Sequence, residues 1–105
     1  MKIDKFNKLV ERQLKLCTNL LCSKSKEYSR GTDKLHNFKK ASHMGGVTQL
    51  EALMGMKLKH DVSLDDMFND HNAGISFTKA KWEEKFTDEI NYLLLAKAII
   101  EEEGY

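Results

Sequence analysis

Apolar residues recur along this chain at spacings of three and four, which is the signature of amphipathic helices. Phe6, Leu9, Val10, Leu14, Cys17, Leu20 and Leu21 form one such stripe and predict a helix over about residues 4–27. Arg30, Gly31 and Thr32 interrupt it. Asp33 is a suitable N-cap for a short second helix to about Met44, with Leu35, Phe38 and Ala41 facing inward. Gly45 and Gly46 close it, Gly45 being placed for the left-handed C′ position. Thr48 followed by Glu51 reads as a capping box that opens a third helix, ending near Phe68. Residues 69–76 read as a loop rich in Asn, Asp, His and Gly. Ser76 or Thr78 then caps a fourth helix over about 79–101. No segment has strand periodicity. The expectation is an all-α, four-helix bundle forming a single domain over residues 1–105.

The two C-terminal stripes are mixed. Leu50, Leu53, Met54, Leu58, Leu64 and Phe68 are interrupted by Lys57, His60 and Asp61. Phe86, Ile90, Leu93, Leu94, Ala98 and Ile100 run beside Glu84, Asp88 and Asn91. An unpartnered buried charge costs several kcal/mol, so polar groups at such places are paired, hold a metal or line a cavity. A polar site between the third and fourth helices is therefore the expected functional feature, with Lys57, His60, Asp61, Glu84 and Asp88 converging there.

Composition narrows the picture. With 105 residues, 41% apolar and 31% charged, the chain can build one small core. The net charge of +1 and the interleaving of lysines with acids disfavour a nucleic-acid footprint. No apolar run is long enough to cross a bilayer and no signal-peptide h-region is present, so the expected location is cytoplasmic. Cys17 and Cys22 do not have a zinc spacing and do not share a helix face, so both are expected to be reduced. The acidic run Glu101–Glu103 reads as a solvated, fraying helix end. The methionines read as core packing. The wide stripes of the first and last helices are more than so small a bundle can cover, and predict a homo-oligomer.

Each polar group has a chemical role it could fill and an ordinary structural alternative. Glu84 and Asp88, one turn apart, supply hard oxygens suited to Mg²⁺, and Asp61 is a third; surface ion pairs explain them equally. Lys57 can neutralise phosphate, or simply pair with Asp61. His60 can donate to phosphate or exchange protons near neutral pH. Asn91 can orient a carboxylate or bond a base edge. Tyr28 and Lys39 belong to a donor-rich helix junction, Lys24–Lys39, that could close over a phosphate-bearing ligand or be an ordinary turn. It lacks the Gly-Lys-Ser/Thr of a P-loop.

One further pattern carries a resemblance. Lys24, Glu27 (or Lys26), Tyr28, Asn37 and Phe38 are followed by Glu51, Ala52, Leu53, Gly55, Met56, Lys59, His60, Val62 and Ser63. Glu84, Asp88, Asn91, Tyr92 and Leu93 complete it. In this order the chain resembles small bacteriophage and prophage proteins that look like distant relatives of the all-α nucleoside triphosphate pyrophosphohydrolases, the MazG and dimeric dUTPase group. The resemblance implies an oligomeric helical protein, a nucleotide-like ligand, Mg²⁺ held by carboxylates of two helices and, for a phage protein, residence in the host cytoplasm. In that scheme Asp61, Glu84 and Asp88 would hold the metal while Lys57 and His60 neutralise the phosphates. The chain departs from the group at the carboxylates. The enzymes use Glu-x-x-Glu and Glu-x-x-Asp, whereas Glu84 and Asp88 have one residue too many between them and the earlier helix offers Asp61 alone. Ligand binding is thus better founded than hydrolysis. The alternative is a non-catalytic module that binds a host or phage protein through exposed helix faces.

Overall fold

The computed structural model describes residues 1–23 and 33–104. It is all-α with four helices in one domain, and no strand occurs among the described residues. Helix α1 spans Ile3–Thr18 and continues as a π-helical turn, Asn19–Ser23. Helices α2, α3 and α4 span His36–Gly45, Gln49–Asn72 and Lys79–Glu102. The junction residues 24–32, Tyr28 among them, lie outside the described residues.

The helix ends follow local chemistry. Thr48 Oγ1 accepts from the Glu51 amide at 3.0 Å, and Glu51 Oε1 accepts from the Thr48 amide at 3.1 Å, completing the expected capping box. Thr78 rather than Ser76 caps α4, accepting from the Lys81 amide at 3.1 Å. Asp33 caps a turn one step before α2: its Oδ1 accepts from the Leu35 amide at 2.9 Å, and α2 itself begins at His36.

Two helix ends differ from expectation for one reason. Gly46, with φ of 65°, takes the left-handed position instead of Gly45, and the Val47 amide bonds back to the Ser42 carbonyl at 3.2 Å. Likewise α3 passes Phe68 and ends only before Gly74, whose φ is 91°, with the Ile75 amide on the Asp70 carbonyl at 2.9 Å. Both are six-to-one closures that need a glycine at C′. The polar residues 69–72 continue the helix because polarity alone does not stop one.

The core sits where α2, α3 and α4 meet. Leu35, Phe38, Leu53 and Ile99 are buried together, with Tyr92, Leu95, Ala96 and Ala98 packed against them. Helix α1 packs mainly along α4. Gln13 fastens it by donating from Nε2 to Thr87 Oγ1 at 2.8 Å, beside buried Cys17. Cys17 and Cys22 are both free thiols.

The stripes do not map onto the interior as expected. On α4 the buried residues are Thr87, Asn91 and Ile99, while Phe86, Leu93, Leu94 and Ile100 face outward. On α3 Leu53 and Met67 are buried, whereas Met54, Leu58 and Phe68 are exposed. Met67 is thus a core methionine, but Met44, Met54 and Met56 are on the surface. Between Ile90 and Ile100 helix α4 is apolar around most of its circumference, so its longest stripe does not identify the inward side. Shape decides instead: Thr87 and Asn91 are small, and hydrogen bonding to Gln13 lets α1 come close at Thr87.

Candidate functional site

The predicted polar residues separate into two adjacent groups. In the first, Lys57 Nζ lies 2.6 Å from Asp61 Oδ1 and 3.1 Å from Glu89 Oε2. This α3–α4 triad is mutually stabilising: the hydrogen bond to Asp61 holds the Lys57 ammonium above its ordinary range, and Lys57 holds Asp61 below its own. Glu89 is the member that sequence reasoning missed. Its place one residue after Asp88, at the flank of the inward face of α4, was the signal available.

The second group lines an open cavity of about 440 Å³ bordered by α2, α3, α4 and the π-helical turn after α1. His60, Asp88, Asn91 and Asn37 supply its polar wall. Phe38, Met56, Tyr92 and Leu95 are prominent in its apolar wall, with Leu20 and Leu21 closing the α1 side. The His60 and Tyr92 rings are 5.0 Å apart between centroids. His60 Nδ1 stands 3.7 Å from Asp88 Oδ2, beyond hydrogen-bond length, and is buried without a bond partner. Asn91 is 6% exposed and its amide oxygen is buried with no donor. Burial raises the Asp88 carboxyl above its ordinary range, only partly opposed by His60. Burial likewise raises the Tyr92 phenol, helped by the neighbouring charges of Asp88 and Glu89.

The other expected site residues lie elsewhere. Glu84 is exposed and borders a neighbouring depression that shares Asp88 with the cavity. Lys39 bridges Asp33 at 2.7 Å and Glu102 at 2.6 Å, tying the start of α2 to the end of α4. Glu102 pairs with Lys39 at the surface, and Glu101–Glu103 are all exposed, as expected of a solvated helix end. Asp61, Glu84 and Asp88 do not form a three-ligand centre: among the described residues no group of three or more His, Cys, Asp or Glu side chains is placed to hold a metal ion. No helix among the described residues is long and apolar enough to cross a membrane.

No family model matches the chain, and no curated protein or solved structure matches it.

What the cavity can do follows from its wall. It presents the Asp88 carboxylate and the Asn91 side chain between aromatic and aliphatic surfaces, the Asn91 amide oxygen itself being turned away from solvent. Its volume falls within the range of small-molecule sites. A planar group carrying N–H donors meets Asp88 and, once the amide turns toward the cavity, Asn91, and packs against Tyr92 and Phe38. A phosphate does not suit this wall, because it would face Asp88. Lys57 could reach one only by leaving two carboxylates.

Proposed function

We propose that the protein binds a nucleotide-like ligand, with the heterocyclic part of the ligand in the cavity between α2, α3 and α4. The observation that carries this reading is Asn91, a residue of the cavity lining whose amide oxygen is buried without a donor and would meet a ligand once the amide turns toward the cavity. An unmet buried acceptor costs about 1–3 kcal/mol, and a ligand N–H recovers that cost on binding. Asp88 adds a second acceptor. His60, beside Asp88 and Tyr92, supplies either a donor or an acceptor according to its protonation. The resemblance to phage-encoded relatives of the nucleoside triphosphate pyrophosphohydrolases points to the same ligand class. Hydrolysis with Mg²⁺ is the catalytic extension of this proposal. It has less support than binding, because the three candidate carboxylates are not gathered.

Isothermal titration with the common nucleosides and their triphosphates, with and without Mg²⁺, tests it. Binding of at least one nucleoside is expected. Asn91→Leu and His60→Ala should each weaken it tenfold or more, equivalent to about 1.4 kcal/mol. Lys39→Ala, outside the cavity lining, should not. No heat with any of these compounds, on protein verified ligand-free, would reject the proposal. Release of pyrophosphate from a triphosphate only with Mg²⁺ would add the hydrolytic activity.

A second reading, a module that binds a host or phage protein, draws on the apolar residues exposed along the outward face of α4. A protein with no nucleoside affinity that forms a stoichiometric complex with a single purified polypeptide would favour it.

A further inference from the structure

A groove of about 720 Å³ runs between α1 and α4, within the volume range of small-molecule sites. It shares no lining residue with the cavity proposed for the nucleotide-like ligand. Along α4 its lining runs from Lys79 to Ile90, about 16 Å of helix. Phe86, Ile90 and, from α1, Leu9 make its apolar part. Trp82 forms a wall, its ring centroid 5.8 Å from that of Phe86, 5.6 Å from Phe77 and 5.9 Å from Phe68. Three neighbouring rings hold the indole, so this wall needs little ordering when a ligand arrives. Charge collects at one end. Glu83 lies 3.6 Å from Arg12 and 3.9 Å from Lys79, so one carboxylate faces two cations and a positive charge is left unbalanced. Both contacts are longer than a hydrogen bond. The Arg12 and Lys79 side chains are 52% and 74% exposed, which leaves their N–H donors open to a ligand. The first turn of α4 carries no acid, so the positive end of its dipole adds to the same sign.

We propose that this groove binds a free medium-chain aliphatic carboxylate, its head group on Arg12 and Lys79 and its tail along Trp82, Phe86, Ile90 and Leu9. Three features select that occupant. The groove is long and its floor is apolar, which suits an extended alkyl tail: each tail methylene taken from water adds to binding. The charge lies at one end of the groove, so the occupant is charged at one end. The unbalanced sign is positive, so the head is an anion, and a carboxylate accepts the paired N–H donors of the Arg12 guanidinium in their own plane. A neutral or cationic amphiphile lacks that match. This inference does not depend on the nucleotide reading, because the two sites are built from different residues.

The test is isothermal titration of the full chain with decanoate below its micelle concentration, with the emission of Trp82, the single tryptophan, followed in parallel. Saturable binding is expected, with a blue shift of Trp82 as the tail displaces water from the groove. Decanol, with the same tail and no charge, should bind at least tenfold more weakly. Decyltrimethylammonium should bind more weakly still, and butanoate should give no heat. The double variant Arg12→Gln, Lys79→Gln should lose at least tenfold in decanoate affinity and keep its affinity for decanol. Leu9→Glu should abolish binding of both while its far-ultraviolet circular dichroism stays helical. Leu58→Glu, on the exposed side of α3, should bind decanoate like the parent. No saturable decanoate binding overturns the proposal. So does equal affinity for decanoate and decanol, a preference for the ammonium, a double variant or Leu9→Glu that binds decanoate like the parent, or a loss through Leu58→Glu. A groove that takes only an amphipathic peptide also overturns it, as does a Trp82 emission that answers to dilution of the chain and not to decanoate.

Discussion

The two sides of α4 are both mixed: the inward side packs Leu95, Ala96, Ala98 and Ile99 into the core but also takes in polar groups. Its inward side carries Thr87, Asp88 and Asn91 among the residues that face α1, α2 and α3. Its outward side carries Phe86, Leu93, Leu94 and Ile100. A helix selected only to fold this chain would keep polar groups off its inward side, because each buried apolar side chain contributes about 1.5–3 kcal/mol and each unmet buried polar atom costs about 1–3 kcal/mol. The polar part of the inward side is what motivates the proposed ligand site.

The contrast is sharpest where packing alone acts. Leu53 is 1% exposed within the α2–α3–α4 core, so Leu53→Ala should cost about 2–5 kcal/mol in a denaturant melt. Leu93→Ala, at a position 61% exposed, should cost under about 0.5 kcal/mol. Equal losses at the two positions would break the distinction between inside and outside.

Lys57→Met probes whether the triad beside the cavity is structural. Removing the ammonium leaves Asp61 and Glu89 facing each other, with one Glu89 oxygen already buried and unbonded. A loss of about 2 kcal/mol is expected at neutral pH, between the values for exposed and buried pairs. It should shrink at acid pH as the two carboxyls take up protons. A neutral-pH loss near zero would free Lys57 for a ligand phosphate and redraw the site.

The smallest effect concerns Asp88. Its carboxyl is raised by burial above the ordinary value of 3.8. Between those two values the folded state binds more protons than the unfolded chain, so the contribution of Asp88 to stability falls as pH rises through the window. Asp88→Asn should therefore be more stable than the parent at neutral pH, and the advantage should fade as pH falls toward 3.8. Paired melts at neutral and acid pH check this. A variant less stable than the parent at neutral pH would mean that the charged carboxylate is needed to hold His60.

The fold was largely legible in the sequence, and the site was legible in part. Helical periodicity and the Thr48–Glu51 box identified four helices, because both act through local geometry. The stops at Gly46 and Gly74 were harder to place: a closing bond chooses among nearby residues by backbone conformation, which composition does not encode. His60, Asp88 and Asn91 were recognised as polar groups at the inward face, and the structure brings them to one cavity. Glu89 was missed and the pairing of Lys39 with Glu102 was not foreseen, since both depend on which helix lies opposite. The apolar surplus of α1 and α4 was readable from their wide stripes. That the α4 stripe points outward was not, because a helix apolar on most sides has no unique inward direction until small residues such as Thr87 let a neighbour approach.

The central claim is that the buried acceptor of Asn91 awaits a ligand donor. Nuclear magnetic resonance of the side-chain amides of Asn91 and Asn37, followed while the common nucleosides are added one at a time, tests it most directly. We expect the Asn91 resonances to move and saturate with at least one nucleoside, and His60→Ala to require a higher concentration for the same shift. Asn91 resonances unmoved by every nucleoside, while the backbone spectrum stays that of the folded protein, would contradict it.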